Sequence, residues 1–92
     1  MTIIISKKIE DKLLGVHNVT VREVEQCFDN LLGTLLLDTR EKHRSDPPTM
    51  WFISTTNKDR ILKVVFIKRD GNFFIRSSYE PNIDEINIYI GV

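Results

Sequence analysis

The stretch Ile61-Leu62-Lys63-Val64-Val65-Phe66-Ile67-Lys68-Arg69-Asp70-Gly71-Asn72-Phe73-Phe74-Ile75-Arg76-Ser77-Ser78-Tyr79 reads as two β-strands joined by a tight turn. Ile61–Lys68 and Phe73–Tyr79 are rich in β-branched and aromatic residues, which suit a pleated, half-buried surface. Asp70-Gly71 between them is the pair that a two-residue type I′ turn prefers, because both central positions need positive φ. Outward from this hairpin, Met50–Thr56 reads as another strand, with Lys58-Asp59 as its turn into the next. Leu35-Leu36-Leu37 reads as the first strand, followed by a polar loop that begins near Arg40 and closes at Asp46-Pro47-Pro48.

Two-residue turns imply a register. Ile67 then opposes Phe74, Val65 opposes Arg76, and Lys63 opposes both Ser78 and Ser54, with Ile61 opposite Thr56. One face is predicted to carry Trp51, Ile53, Leu62, Val64, Phe66, Phe73, Ile75 and Tyr79 as the core. The other carries Phe52, Ser54, Thr56, Lys63, Val65, Phe74, Arg76 and Ser78, where cations and hydroxyls among aromatic rings could hold phosphate and stack bases. A half-exposed sheet with ordinary polar decoration looks the same.

N-terminal to the sheet, Ile9 and Leu13 at i,i+4 give a short amphipathic helix over residues 6–15, which Gly15 is expected to end. Val21, Val24 and Phe28 give a second, with Thr20 and Glu23 forming a capping box and Asn30 and Gly33 marking the end beyond Asp29. A further box at Asn82 and Glu85 predicts a last helix from Ile83 to Tyr89, although Ile86, Ile88 and Ile90 alternate like a strand. The expected architecture is α+β: two N-terminal helices packed on a four-stranded antiparallel meander, plus a short C-terminal helix, as one domain over residues 1–92.

Composition narrows the class. With 41% hydrophobic and 28% charged residues, the chain has ordinary globular usage. Met1–Ser6 holds three strong hydrophobes before Lys7 and Lys8, the reverse of a signal peptide, and no run is long enough to span a membrane. The single Cys27 cannot form an internal disulfide, which suits a reducing cytoplasm, and reads as core filler. The zero net charge is unevenly spread: residues 39–80 hold nine Lys/Arg against five acids, +4, leaving −4 for the rest. A basic sheet beside acidic helices could bind a polyanion; scatter on a solvated surface gives the same count.

The richest chemical cluster is Asp38-Thr39-Arg40-Glu41-Lys42-His43-Arg44-Ser45-Asp46. Cleaving RNA through its own 2′-OH requires a base, an acid and cations for the phosphorane charge. Glu41 or His43 is the candidate acid or base, and Arg40, Arg44 and Arg76 the candidate phosphate clamp, with no metal or other cofactor. A charged surface loop has the same composition. His17, between the helices, reads foremost as a cap or polar contact and secondarily as a site residue. Zinc ligation by His17, Cys27, His43 and Asp46 matches no tight ligand spacing.

The order His17-x-Val19-Thr20-x-x-Glu23-Val24-x-x-x-Phe28-Asp29 resembles the helix pair of BrnT toxins. The resemblance continues through Asp38-x-Arg40-Glu41, the strand around Trp51, Asp59-Arg60-x-Leu62-x-Val64-Val65 and Ile75-Arg76-x-Ser78, with Glu85 and Tyr89 beyond. That family is similar in fold to RelE, a compact ribonuclease whose basic sheet face contacts messenger RNA. The resemblance implies a ribonuclease toxin of a type II toxin–antitoxin pair, acting in the cytoplasm, inhibiting translation and covered by a cognate antitoxin, as a homodimer or a hetero-oligomer. It carries over Arg40, Glu41 and Arg76. Where BrnT proteins read Ser-Ala-Arg, this chain reads Ser78-Tyr79-Glu80, so the arginine is lost and Tyr79 joins the expected catalytic set with His43. Arg44, Lys63 and Ser78 are the expected RNA contacts. A non-catalytic protein- or RNA-binding module of the same fold is the alternative. The Tyr79-Glu80-Pro81-Asn82 stretch is also similar to small proteins labelled ADP-ribosyl-(dinitrogen reductase) hydrolase. That activity needs a larger helical protein with a two-metal carboxylate site, and the chain has neither the length nor the ligand clusters.

Overall fold

A computed structural model describes residues 2–39 and 46–91. The elements run β1 (Thr2–Ile4), α1 (Lys7–His17), α2 (Val21–Asp29), β2 (Leu36–Leu37), β3 (Thr49–Thr55), β4 (Ile61–Arg69), β5 (Asn72–Tyr79) and α3 (Ile83–Ile90). The class is α+β, with a five-stranded mixed sheet in the order β1-β5-β4-β3-β2. The expected four-stranded antiparallel meander is therefore corrected by one strand. The short apolar run at the N-terminus pairs in parallel with β5, Ile3 beside Phe73.

Local chemistry explains the helices. Ser6 caps α1, its hydroxyl accepting from the Ile9 N–H at 3.2 Å. Gly15 does not end α1; the left-handed residue is Asn18 (φ 53°), whose N–H reaches back to the carbonyls of Leu13 and Leu14. Thr20 and Glu23 form the expected reciprocal box at the start of α2, and Asn82 and Glu85 form another at α3, so the isoleucine alternation there belongs to a helix.

The turns set the register. Asp70 (φ 53°) and Gly71 (φ 78°) make the two-residue connection, and Ile67 faces Phe74 as expected. Two departures follow. The β3–β4 connection is a three-residue loop, Asn57–Asp59, closed by the Thr56 N–H donating to the Arg60 carbonyl and with Asp59 left-handed (φ 64°). Lys63 therefore faces Ile53 and Ile61 faces Thr55. In β5 a bulge lets Phe66 face Ile75 but Val65 face Ser77, leaving Arg76 as the inserted residue and moving Tyr79 opposite Lys63.

Both shifts re-sort the faces. The inner face stacks Met50–Phe66–Ile75, Phe52–Val64–Ser78 and Ser54–Leu62 beneath α1 and α2, completed by Leu13, Val19, Val24 and Cys27. Phe28 of α2 stacks on Phe73 (5.3 Å between centroids) and meets Phe52 and Phe66 edge-on. Phe52, placed by sequence on the open face, is fully buried here. Trp51, Ile53 and Tyr79, placed by sequence in this core, lie on the other face, where α3 covers part of the sheet and Tyr89 meets Trp51 at 5.7 Å. No described helix is long and apolar enough to cross a membrane.

Candidate functional site

On the outer face the register builds three rows: Ile53–Lys63–Tyr79, Trp51–Val65–Ser77 and Thr49–Ile67–Phe74. The first row carries a polar cluster beneath α3. Lys63 is only 4% exposed, and its ammonium donates to Glu85 Oε2 at 2.6 Å. The same oxygen accepts from the Tyr79 hydroxyl at 3.0 Å, while Oε1 accepts from the Asn82 N–H at 3.0 Å. The ammonium also lies 4.5 Å from the Trp51 ring centre and 5.7 Å from that of Tyr79. Burial alone would raise the Glu85 carboxyl. The hydrogen bonds from Lys63, Asn82 and Tyr79, with the Lys63 charge, outweigh it and hold the carboxyl below its ordinary value.

The His17 ring tilts against Tyr79 at 5.4 Å, joining the end of α1 to this cluster. Its carbonyl accepts from Arg60 Nη2 at 3.2 Å. Arg60 is a second convergence point: Nη1 reaches the Asn18 carbonyl (2.7 Å) and Glu23 (3.0 Å), and Nε reaches Glu80 (3.0 Å). Burial would lower the Glu23-bound guanidinium's proton affinity, but Glu23 and Glu80 raise it by hydrogen bond and charge. Arg60 thus ties the α1–α2 corner to the start of β4 and the end of β5.

A cleft of about 660 Å³ opens beside the cluster, between α3 and the segment Leu35–Thr39, with Trp51 and Lys63 at its base. Tyr89 closes the neighbouring corner, its hydroxyl donating to the Thr34 carbonyl at 2.7 Å. Gly33 leaves room for that ring, since a Cβ there would crowd the hydroxyl and force the Tyr89 side chain to shift. Burial pushes the Tyr89 phenol up, and a backbone hydrogen bond at Ile53 offsets only part of it.

The remainder of the outer face, half-buried Val65, Ile67, Phe74 and Ser77 with exposed Arg76, is a strip beyond the Lys63 row. The Asp38 N–H donates to the Thr49 carbonyl at 2.8 Å, so the chain enters the segment 40–45 at the end of this strip.

Of the residues singled out from sequence, Lys63, Tyr79 and His17 come together, joined by Trp51 and Glu85. Ser78 does not join them. The bulge turns it to the inner face, where it is fully buried and its Oγ has no hydrogen-bond partner among the described residues. Lys63 is engaged by Glu85 and not presented to solvent, so the expected open face of Lys63, Arg76 and Ser78 is not formed. Arg76 sits exposed on the bulge, with no ion pair among the described residues. Arg40, Glu41, His43 and Arg44 lie outside the described residues. Glu85 is the organising group that sequence reasoning used as a cap and as one point of the family resemblance; its i+3 spacing from Asn82 was visible, its pairing with Lys63 was not. Among the described residues no three His, Cys, Asp or Glu side chains gather as metal ligands. No protein-family model and no curated protein matches the chain.

Proposed function

We propose that this chain is a ribonuclease toxin of a type II toxin–antitoxin pair, of the BrnT-like and RelE-like kind. It cleaves RNA by metal-independent acid–base chemistry, inhibits translation in the cytoplasm and is neutralised by a cognate antitoxin. The observation that carries this reading is the outer strip, which no described helix is shown to pack on: an exposed arginine, Arg76, beside half-buried Phe74, Val65 and Ser77, with Asp38, shortly before Arg40 in sequence, hydrogen-bonded to Thr49 of the same strip. Arg40 and Arg76 hold the scissile phosphate, Glu41 or His43 moves the proton, and Tyr79 flanks the strip from the next row.

The second reading is a non-catalytic protein- or RNA-binding module. The internal engagement of Lys63 and the burial of Ser78 favour its protein-binding form, since both withdraw expected RNA contacts. Inducible expression in bacteria, with and without the adjacent open reading frame, separates the two. The toxin reading expects growth arrest with fragmented RNA, relieved by the neighbour. Normal growth, together with intact RNA after incubation with purified protein and ribosomes, leaves the binding module as the better account.

A further inference from the structure

We infer that Lys63, Tyr79 and Trp51 form a phosphate-binding subsite for single-stranded RNA, which α3 holds closed by setting the Glu85 carboxylate where the phosphate would lie. Such a subsite rests on the proposed reading of the outer face as an RNA surface and adds its regulation. Lys63 and Tyr79 share one row of that face, and the next row, Trp51–Val65–Ser77, leads to the Arg76 bulge. One Glu85 oxygen takes both the Lys63 ammonium (2.6 Å) and the Tyr79 hydroxyl (3.0 Å), and the ammonium lies over the Trp51 ring. A cation and a phenol proton converging on one anionic oxygen beside an indole face are the groups that hold a phosphate and stack its base. Here a residue of the chain itself takes that place.

The helix carrying Glu85 is attached as a cover. It has no buried residue, and Ile83, Ile88 and Ile90 are exposed, so most of its apolar surface does not hold it to the sheet. Besides Glu85, Tyr89 ties it down, with its ring against Trp51 and its hydroxyl donating to the Thr34 carbonyl at 2.7 Å. Lifting α3 leaves Lys63, Tyr79 and Trp51 continuous with Ser77 and Arg76 on one face. RNA then binds only the lifted fraction, so its apparent affinity is reduced by that fraction and rises with anything that loosens α3. An incoming phosphate replaces the departing carboxylate, which keeps the lysine paired in both states.

The test uses the full chain and a fluorescein-labelled RNA single strand of about ten nucleotides with 2′-O-methyl riboses, which cannot be cleaved through the 2′-OH, so binding is read apart from cleavage. Tyr89→Phe keeps the ring, changes no charge and removes only the bond to Thr34. It should tighten binding about fivefold, the factor that one lost hydrogen bond makes in the lifted fraction. Glu85→Gln should tighten it about tenfold or more, and adding Lys63→Met, which leaves no buried charge stranded, should abolish that gain. Glu25→Gln, the same charge change at an exposed position of α2, should have little effect. Amides of α3 should exchange faster with RNA bound than without it. Unchanged affinity in Tyr89→Phe, equal gains from Glu25→Gln and Glu85→Gln, a gain that survives Lys63→Met, or α3 amides protected by RNA overturns the cover. In those cases wild-type binding that Arg76→Ala weakens leaves the RNA surface standing, whereas RNA bound by no variant removes both.

Discussion

Lys63 of β4 and Glu85 of α3 meet at 2.6 Å with side chains only 5% and 16% exposed, and this pair anchors a helix that has no buried residue of its own. Removing one partner leaves the other charge buried without compensation, which typically costs about 3–5 kcal/mol. Glu85→Ala should therefore lower urea stability by that order, also losing the cap at Asn82 and the contact to Tyr79. The double change Lys63→Met with Glu85→Leu should cost less than Glu85→Ala alone, because no buried charge is stranded. A Glu85→Ala loss below about 1 kcal/mol would mean that water screens the pair.

The same carboxylate makes stability pH-dependent. Glu85 is held below its ordinary value of 4.5, as is Glu23, whose burial is outweighed by hydrogen bonds from Thr20 and Arg60 and by the Arg60 charge. A folded-state pKa below the unfolded one contributes stability that is full above the ordinary carboxylate range and is lost as pH falls through the lowered value. Urea midpoints should therefore fall between neutrality and the acid side of pH 4.5, and Glu85→Gln should flatten that dependence. A wild-type midpoint unchanged down to pH 3 would contradict the assignment.

Much of this arrangement was readable from local chemistry, and the exceptions have definite causes. Asp70-Gly71 set one hairpin correctly because two consecutive positive φ values leave few alternatives. Thr20 with Glu23, and Asn82 with Glu85, announced helix starts because capping is a three-residue affair. Lys58-Asp59 misled because Asp59 takes the left-handed position usually given to glycine, lengthening the loop by one residue and exchanging Trp51 with Phe52 across the sheet. The bulge at Arg76 leaves no local signature, since it answers to strand twist and to what lies above and below. β1 was too short to register as a strand, and Lys63–Glu85 joins residues whose proximity depends on where α3 docks. The segment bearing Arg40, Glu41, His43 and Arg44 was legible only as chemistry.

Cys27 should be inert in the native protein. It is fully buried, and burial, helped by the Glu23 charge, pushes its thiol up to about 12. Ellman's reagent at pH 8 should react only as fast as the protein opens, and stoichiometrically at once in denaturant. Prompt native-state labelling would show that α2 lifts from the sheet far more readily than its packing implies.

Ser78→Ala distinguishes the two placements of this residue. A hydroxyl on an open RNA-binding face would contribute to binding and little to stability. On the inner face its Oγ is buried without a hydrogen-bond partner among the described residues, and such burial carries a penalty of about 1–3 kcal/mol. Ser78→Ala should therefore stabilise the fold, by about 1 kcal/mol, and leave RNA cleavage and RNA binding unchanged. Unchanged stability together with weaker RNA binding would return Ser78 to the surface and remove the bulge from the account.

Arg76 is the sharpest test of the proposed chemistry because the bulge frees it from the packing on either side. Ile75 is buried and Ser77 half-buried, whereas the inserted Arg76 is exposed, so its truncation should change stability by no more than about 0.5 kcal/mol. Any loss of activity then reports on contacts to substrate. A donor that stabilises developing phosphorane charge is worth about 10²–10³ in rate, so Arg76→Ala should relieve growth arrest and slow RNA cleavage by that factor. Arg76→Lys should recover only part of it, since a single ammonium cannot reproduce the bidentate fork. Glu41→Gln and His43→Gln, compared at several pH values, should differ: only the true acid or base reshapes the pH–rate profile. Growth arrest that persists undiminished in Arg76→Ala, with that variant folded and expressed, would remove Arg76 from the site and with it the outer strip as the catalytic surface.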